Sequence, residues 1–192
     1  MTLPIFRQRH WNGIEGEWYS MIRIANENDI PGVAEIYDHI LTEEEAGRAH
    51  IGWVRGIYPT EDTARAALKQ NELYVEEEDG RIVAVAKINR EQVPEYANAD
   101  WEFDAPDDEI MVLHTLVVDP LASGRGYGKR FVNFYEEFAR QKGCRFLRMD
   151  TNQINTVARK LYNKLGYKEV GIVPCKFNGI EDVQLVCLEK KL

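Results

Sequence analysis

The spacing of apolar residues changes period several times along the chain, and each change marks an element. Residues 21–25 open the pattern as a short strand. After Asp29, a residue type that caps helices, Ile30, Val33, Ile36, Tyr37, Ile40 and Leu41 recur at helical spacing. Thr60 can cap a second, shorter helix through Ala64, Ala67 and Leu68. Strands at 73–77 and 81–88 flank Asp79-Gly80, a dipeptide suited to a tight hairpin turn. Residues 89–109 are irregular. The run 110–118 is apolar except for His114 and Thr115, and it reads as a central strand covered on both faces. Phe131, Phe134, Tyr135 and Phe138 share one face of a helix that Gly143 ends. A strand at 146–151 precedes a helix capped by Asn155, carrying Val157, Ala158, Leu161, Tyr162 and Leu165 and stopped by Gly166. Strands at 167–172 and 184–188 close the chain, joined across a loop that contains Asn178-Gly179.

The order β-α-α-β-β-β-α-β-α-β-β predicts an α+β domain. Its sheet is mixed and mostly antiparallel, with a helical crossover between the two middle strands. Residues 1–20 show no clear period and are expected to form a loosely ordered N-terminal arm, leaving 21–192 as a single domain. A chain of 192 residues is long enough for one substantial core. Its 24 basic and 32 acidic residues leave a net charge of −8, which argues against nucleic-acid binding. No apolar run has the length of a membrane span or of a signal-peptide core. Cys144, Cys175 and Cys187 lie far apart, without the spacing of a metal site or a disulfide framework. Reduced thiols in a cytoplasmic protein are expected.

Residues 116–130 lead a strand into a glycine-spaced loop, Ser123-Gly124-Arg125-Gly126-Tyr127-Gly128, and then into a helix beginning near Lys129. Such a joint offers free backbone N–H groups at the positive end of a helix dipole, a cradle for phosphate. Two common registers fail. A Walker A loop would need Gly where Ser123 stands and a hydroxyl where Arg130 stands; a dinucleotide fingerprint would need Gly at 129 or 131.

Together with Val117-Val118-Asp119-Pro120 before these glycines, the spacing Asn155-x-x-Ala158-x-x-x-Tyr162-x-x-x-Gly166-Tyr167 resembles the GCN5-related N-acetyltransferases (GNAT family) over roughly residues 21–192. The resemblance implies the GNAT fold: six to seven strands, about four helices, and a sheet splayed between its two central strands. It implies acetyl-coenzyme A as co-substrate and direct transfer of the acetyl group to an amine in a ternary complex, with no metal. Leu116, Val117 and Val118 would bind the pantetheine arm as an added strand. Ser123, Gly124, Arg125, Gly126, Tyr127, Gly128 and Lys129 would hold the pyrophosphate. Ser123 departs from the Gln or Arg usual at that position, and Arg125 or Lys129 can supply the missing charge. By the same resemblance Tyr162 is the general acid for the thiolate, although an apolar-face tyrosine also fills core. Asn155 touches the cofactor arm as well as capping its helix, and the N–H of Val117 or Val118 faces the thioester oxygen.

The base is less determined. His114 occupies the position at which relatives sometimes carry a glutamate, and imidazole titrates in a useful range. A strand histidine can equally be a hydrogen-bonded core residue, with Glu109 or a water chain in its place. For the acceptor, residues 89–109 hold eight acidic residues against Arg90, interleaved with Tyr96, Trp101 and Phe103. With the loop from Glu43 to Tyr58, this segment would border the acceptor groove and attract a cationic small-molecule or peptide amine. A solvated acidic loop is the alternative. No nucleic acid or membrane partner is expected, and the protein is a monomer or homodimer. The rival to an enzyme is a coenzyme A-binding sensor or interaction domain on the same fold.

Overall fold

In the computed structural model, which describes residues 6–9 and 19–192, the hairpin dipeptide Asp79-Gly80 takes the backbone it was expected to take, and Asn178-Gly179 takes the same one. Asp79 and Gly80 both have positive φ, as do Asn178 and Gly179, the requirement of a type I′ turn. The first turn joins β3 (Leu73–Glu78) to β4 (Arg81–Asn89). The second joins β7 (Lys168–Phe177) to β8 (Ile180–Lys191). These last strands run right up to their turn, so the expected loop between 172 and 184 is a continuation of the hairpin. Its strand character is hard to read because β7 alternates exposed and partly covered positions, with Val173 alone fully buried.

The remaining strands are β1 (Phe6–Arg9), β2 (Tyr19–Ile24), β5 (Ile110–Val118) and β6 (Phe146–Asn152). They form one sheet in the order β1-β2-β3-β4-β5-β6-β8-β7. Strands β2 to β8 are the seven expected, and β1 adds an edge strand by antiparallel pairing with β2. The expectation of a loose arm at 1–20 otherwise lies outside the described residues.

Among the described residues four α-helices cover the sheet: α1 (Ile30–Glu45), α2 (Glu61–Lys69), α3 (Tyr127–Gln141) and α4 (Thr156–Lys164). Ile30, Val33, Ile36 and Tyr37 of α1 and Ala64 and Ala67 of α2 pack with Val75, Val85 and Val117 on one face. Phe131, Phe134 and Tyr135 of α3 and Tyr162 of α4 pack with Met111, Leu113, Leu147 and Met149 on the other. A third cluster sets Tyr96 against Ile110, Val112, Val183 and Leu185, which fixes the irregular 89–109 segment to the sheet. Thr60 caps α2 through its hydroxyl. Asp29 makes no side-chain cap to α1. Its carboxylate is held by the Arg23 guanidinium at 2.7 and 2.8 Å and by the Asn26 N–H at 2.7 Å, so an ion pair has claimed it.

Every neighbouring pair of strands is antiparallel except β5 and β6, which run parallel. They pair only from Ile110↔Phe146 to Leu113↔Met149. Beyond that point β5 stays with β4 as far as Val118, and β6 stays with β8 as far as Asn152. The sheet therefore opens between 114–118 and 150–152. At the closed end, the buried Tyr135 hydroxyl of α3 donates toward Met111 O at 2.6 Å and Arg148 O at 3.2 Å, one carbonyl on each strand. Tyr135→Phe is expected to cost about 1–2 kcal/mol, read as a lowered urea midpoint. An unchanged midpoint would mean that this hydroxyl gives no net stabilisation.

Candidate active site

The open part of β5 is irregular in a way that reorients its side chains. Between Val85↔Val117 and Lys87↔His114 the register shifts, with one residue more on β5 than on β4. Thr115 sits there at φ +53°, a conformation disfavoured for a β-branched residue and found at sites where surrounding structure compensates the strain. Before the bulge, Met111 and Leu113 face α3; after it, Leu116 and Val118 do so. A regular strand would have kept the odd positions on that face. The Thr115 hydroxyl is hydrogen-bonded to Tyr58 of the 46–60 loop, which ties the bulge to the roof above it.

A cleft of about 580 Å³ occupies the opening, with His114, Thr115 and Leu116 on one wall and Asp150, Thr151 and Asn152 on the other. Tyr37, Trp53 and Tyr58 roof it, and Asn155, Ala158 and Tyr162 reach it from α4. His114 donates from Nε2 to Asn89 Oδ1 at 2.9 Å. Burial, with the nearby Lys87 charge, lowers its pKa to about 4, so the ring is neutral at physiological pH. Asp150 accepts from the Tyr96 hydroxyl at 2.7 Å. Burial raises its pKa to about 6, against the opposing effect of that hydrogen bond and with a smaller contribution from Glu95. Tyr162 is pushed well above the ordinary phenol range by burial and then by the Asp150 charge. Its ring packs edge-on against Tyr167 at 6.2 Å.

Just past the other end of the opening lies the glycine loop. Gly124 and Gly126 have φ of +80° and +82°. Gly126 precedes the first turn of α3, and no side chain caps that helix. The leading N–H groups of a helix have no intrahelical acceptor, so an uncapped start is a standing anion site. Gly128 serves packing: a Cβ there would meet Leu161 Cδ2 at 3.2 Å, so its absence lets α3 approach α4. Ser123 is exposed on this loop and Lys129 on the first turn of α3. The Arg125 guanidinium pairs with Glu78 at 2.9 Å.

Comparison with known proteins agrees with this geometry. The family model described as Acetyltransferase (GNAT) family matches residues 33–167. The chain belongs to the GNAT acetyltransferase family. An uncharacterized N-acetyltransferase of Methanocaldococcus jannaschii is 27% identical over 153 residues, covering 79% of this chain and 62% of that protein, so the chain spans less than two thirds of that relative. A GNAT-family acetyltransferase structure from Streptococcus agalactiae superposes with TM-score 0.75 at 21% identity, over 90% of this chain and 95% of that one. A putative acetyltransferase of Salmonella typhimurium, solved with acetyl-CoA, gives TM-score 0.64 at 19% identity, over 90% and 94%.

Within this GNAT domain, the expected residues fall into two groups. His114, Leu116, Asn155 and Tyr162 line the cleft together, with Val117 and Val118 continuing the same open strand. Ser123 to Gly126 form the separate loop beyond it, and Tyr127 to Lys129 the first turn of α3. Asn155 caps α4, accepting from the Ala158 N–H at 3.1 Å. Glu109 is turned away in an ion pair with Arg145 at 2.6 Å and does not line the cleft. Of the acidic 89–109 segment only Glu91 and Val93 reach it. Three of its carboxylates pair with bases from elsewhere: Glu91 with Lys87, Glu102 with Lys168 and Glu109 with Arg145. Tyr96 and Trp101 are packed, the Trp101 indole donating to Tyr96 O at 2.8 Å. Among the cleft residues absent from the expectations is the carboxyl of Asp150. Its signal was a polar tail, Asp150-Thr151-Asn152, at the end of an apolar strand, directly before the Asn155 helix.

Proposed function

We propose that the protein transfers the acetyl group of acetyl-coenzyme A to a cationic primary amine by direct attack in a ternary complex. The observation that carries this is the opened sheet: an unpaired strand edge at 114–118 ends in a glycine-spaced helix start and faces a half-buried carboxyl and a buried phenol. The backbone of 116–118 offers a pantetheine arm the hydrogen bonds that β6 leaves unmade. The N–H groups of 124–128 suit the pyrophosphate, and Lys129 adds charge at the same helix start.

In this reading Asp150 takes the proton of the incoming ammonium, directly or through water. A carboxylate near pKa 6 is ionised at neutral pH and a better acceptor than one at its ordinary value. His114, neutral and donating to Asn89, orients the amine and is the second proton acceptor. The C–N bond forms as the C–S bond breaks, and Tyr162 gives its proton to the departing sulfur. An N–H at Val117 or Val118 meets the charge that develops on the carbonyl oxygen. Glu72, Glu91 and Asp150 against Lys87, beneath Trp53 and Tyr58, favour a positively charged acceptor. Thiol release from acetyl-coenzyme A with a panel of cationic, neutral and acidic amines tests the assignment. Faster turnover of neutral or acidic amines at every salt concentration would refute the acceptor class.

The pH profile tests the base. A base must be deprotonated to act, so kcat/KM should fall as pH drops through about 6. Asp150→Asn should lower the rate by about 10²-fold or more at neutral pH and abolish that limb. If the limb survives in Asp150→Asn and vanishes in His114→Gln, the proton goes to His114 instead.

A further inference from the structure

Five side chains beneath the glycine loop form one network. Arg125 Nη2 lies 2.9 Å from Glu78 Oε2, the arginine side chain 59% exposed and the glutamate 11%. The Tyr127 hydroxyl donates to the same Glu78 oxygen. Arg130 binds the fully buried Glu76 at 2.7 Å through Nε. It also donates from Nη1 to Arg125 O at 2.9 Å and stacks 4.2 Å from the Tyr127 ring centroid. The two arginines differ in what they can do. Arg130 is mostly covered and held by Glu76, the Arg125 carbonyl and the Tyr127 ring. Arg125 is mostly exposed and holds its carboxylate by a single ion pair at the surface of the loop.

We propose that Glu78 is a latch on Arg125, holding its guanidinium in reserve until a phosphate of the donor displaces the carboxylate. The proposal rests on the glycine loop being the donor's phosphate site. The guanidinium side of this pair is open to water, which screens the attraction, and the largely buried carboxylate keeps the Tyr127 hydrogen bond when the arginine leaves, whereas a guanidinium meets phosphate oxygens with two parallel hydrogen bonds and a larger charge. Arg125 lies between the two positive-φ glycines. A rotation of its side chain therefore carries the charge to the loop's outer face without moving the backbone, which Arg130 keeps fixed through Arg125 O. Ser123, too short to reach far, then needs no charge of its own. Glu78 in turn keeps the exposed arginine from pairing with other anions and sets the donor affinity below what the loop alone would give.

The test is calorimetric titration of coenzyme A into the full chain and its variants. Glu78→Gln keeps an oxygen for Tyr127 and removes the ion pair. It is expected to tighten coenzyme A by about two- to fivefold, while Arg125→Ala weakens it. In the Arg125→Ala background the Glu78→Gln gain should disappear. An equal gain there would reduce Glu78 to a general like-charge effect and overturn the latch, as would native affinity in Glu78→Gln. An NMR shift of the Arg125 Nε–H on adding coenzyme A to the native protein is the readout that does not depend on a variant's folding. No shift in a protein that binds coenzyme A would also overturn it. A native protein that binds no coenzyme A would remove the donor-site reading itself, and the latch with it.

Discussion

Tyr162→Phe is expected to lower kcat by about 10²- to 10³-fold while leaving the dissociation constant of coenzyme A close to native. The ring is the part that packs: it is buried and set edge-on against Tyr167, and phenylalanine keeps those contacts. Among the described residues no side chain hydrogen-bonds the Tyr162 hydroxyl, so the change deletes a proton donor and leaves no partner unsatisfied. Burial keeps that phenol protonated across the working pH range, as an acid for a thiolate must be. Single-turnover rates with a good amine acceptor, compared with a coenzyme A titration, separate chemistry from binding. Unchanged turnover would take Tyr162 out of the mechanism.

Gly126→Val should abolish donor binding, weakening coenzyme A by about 10²-fold or more through loss of charge-assisted N–H contacts. Space inside the protein is not the reason, since a Cβ at 126 would meet only Arg130 Nη1, at 3.9 Å. The reasons are the +82° φ, which a β-branched residue resists, and the approach of a ligand to the backbone, which any side chain would block. A native dissociation constant in this variant would place the phosphates elsewhere.

Most of the scaffold was legible because its signals are local. Asp79-Gly80 demands a particular turn, Thr60 and Asn155 supply caps within three residues, and the α1 and α3 stripes repeat at one period. What escaped depends on distant partners. Asp29 looks like a cap, yet Arg23 holds its carboxylate. Asp150 looks like the wet end of a strand. Only the parting of β5 from β6 and the covering of the strand end by distant segments withdraw it from water and raise its pKa, a rise that the hydrogen bond from Tyr96, 54 residues away, opposes. The charge of 89–109 was plain, but Lys87, Arg145 and Lys168, which answer part of it, are scattered along the chain. The Thr115 bulge left a faint trace: the polar pair His114-Thr115 separates Leu113 from Leu116, so alternation fails at that step. The glycine loop was legible because its glycines act on the backbone locally, while the attachment of Arg125 to Glu78 required the fold.

The brevity of the β5–β6 ladder has a mechanical consequence. His114 and Leu116 belong to one half of the sheet; Asp150, Asn155 and Tyr162 belong to the other, and four residue pairs join the halves. So short a seam behaves as a spine that can tilt, and α3, with Tyr135 gripping a carbonyl on each side, acts as the brace that sets the tilt. In the proposed reaction, alignment of donor and acceptor is thus borne by a buried helix face. Core substitutions along α3 belong with errors of alignment, in which every reacting group is intact and none meets its partner at the right distance.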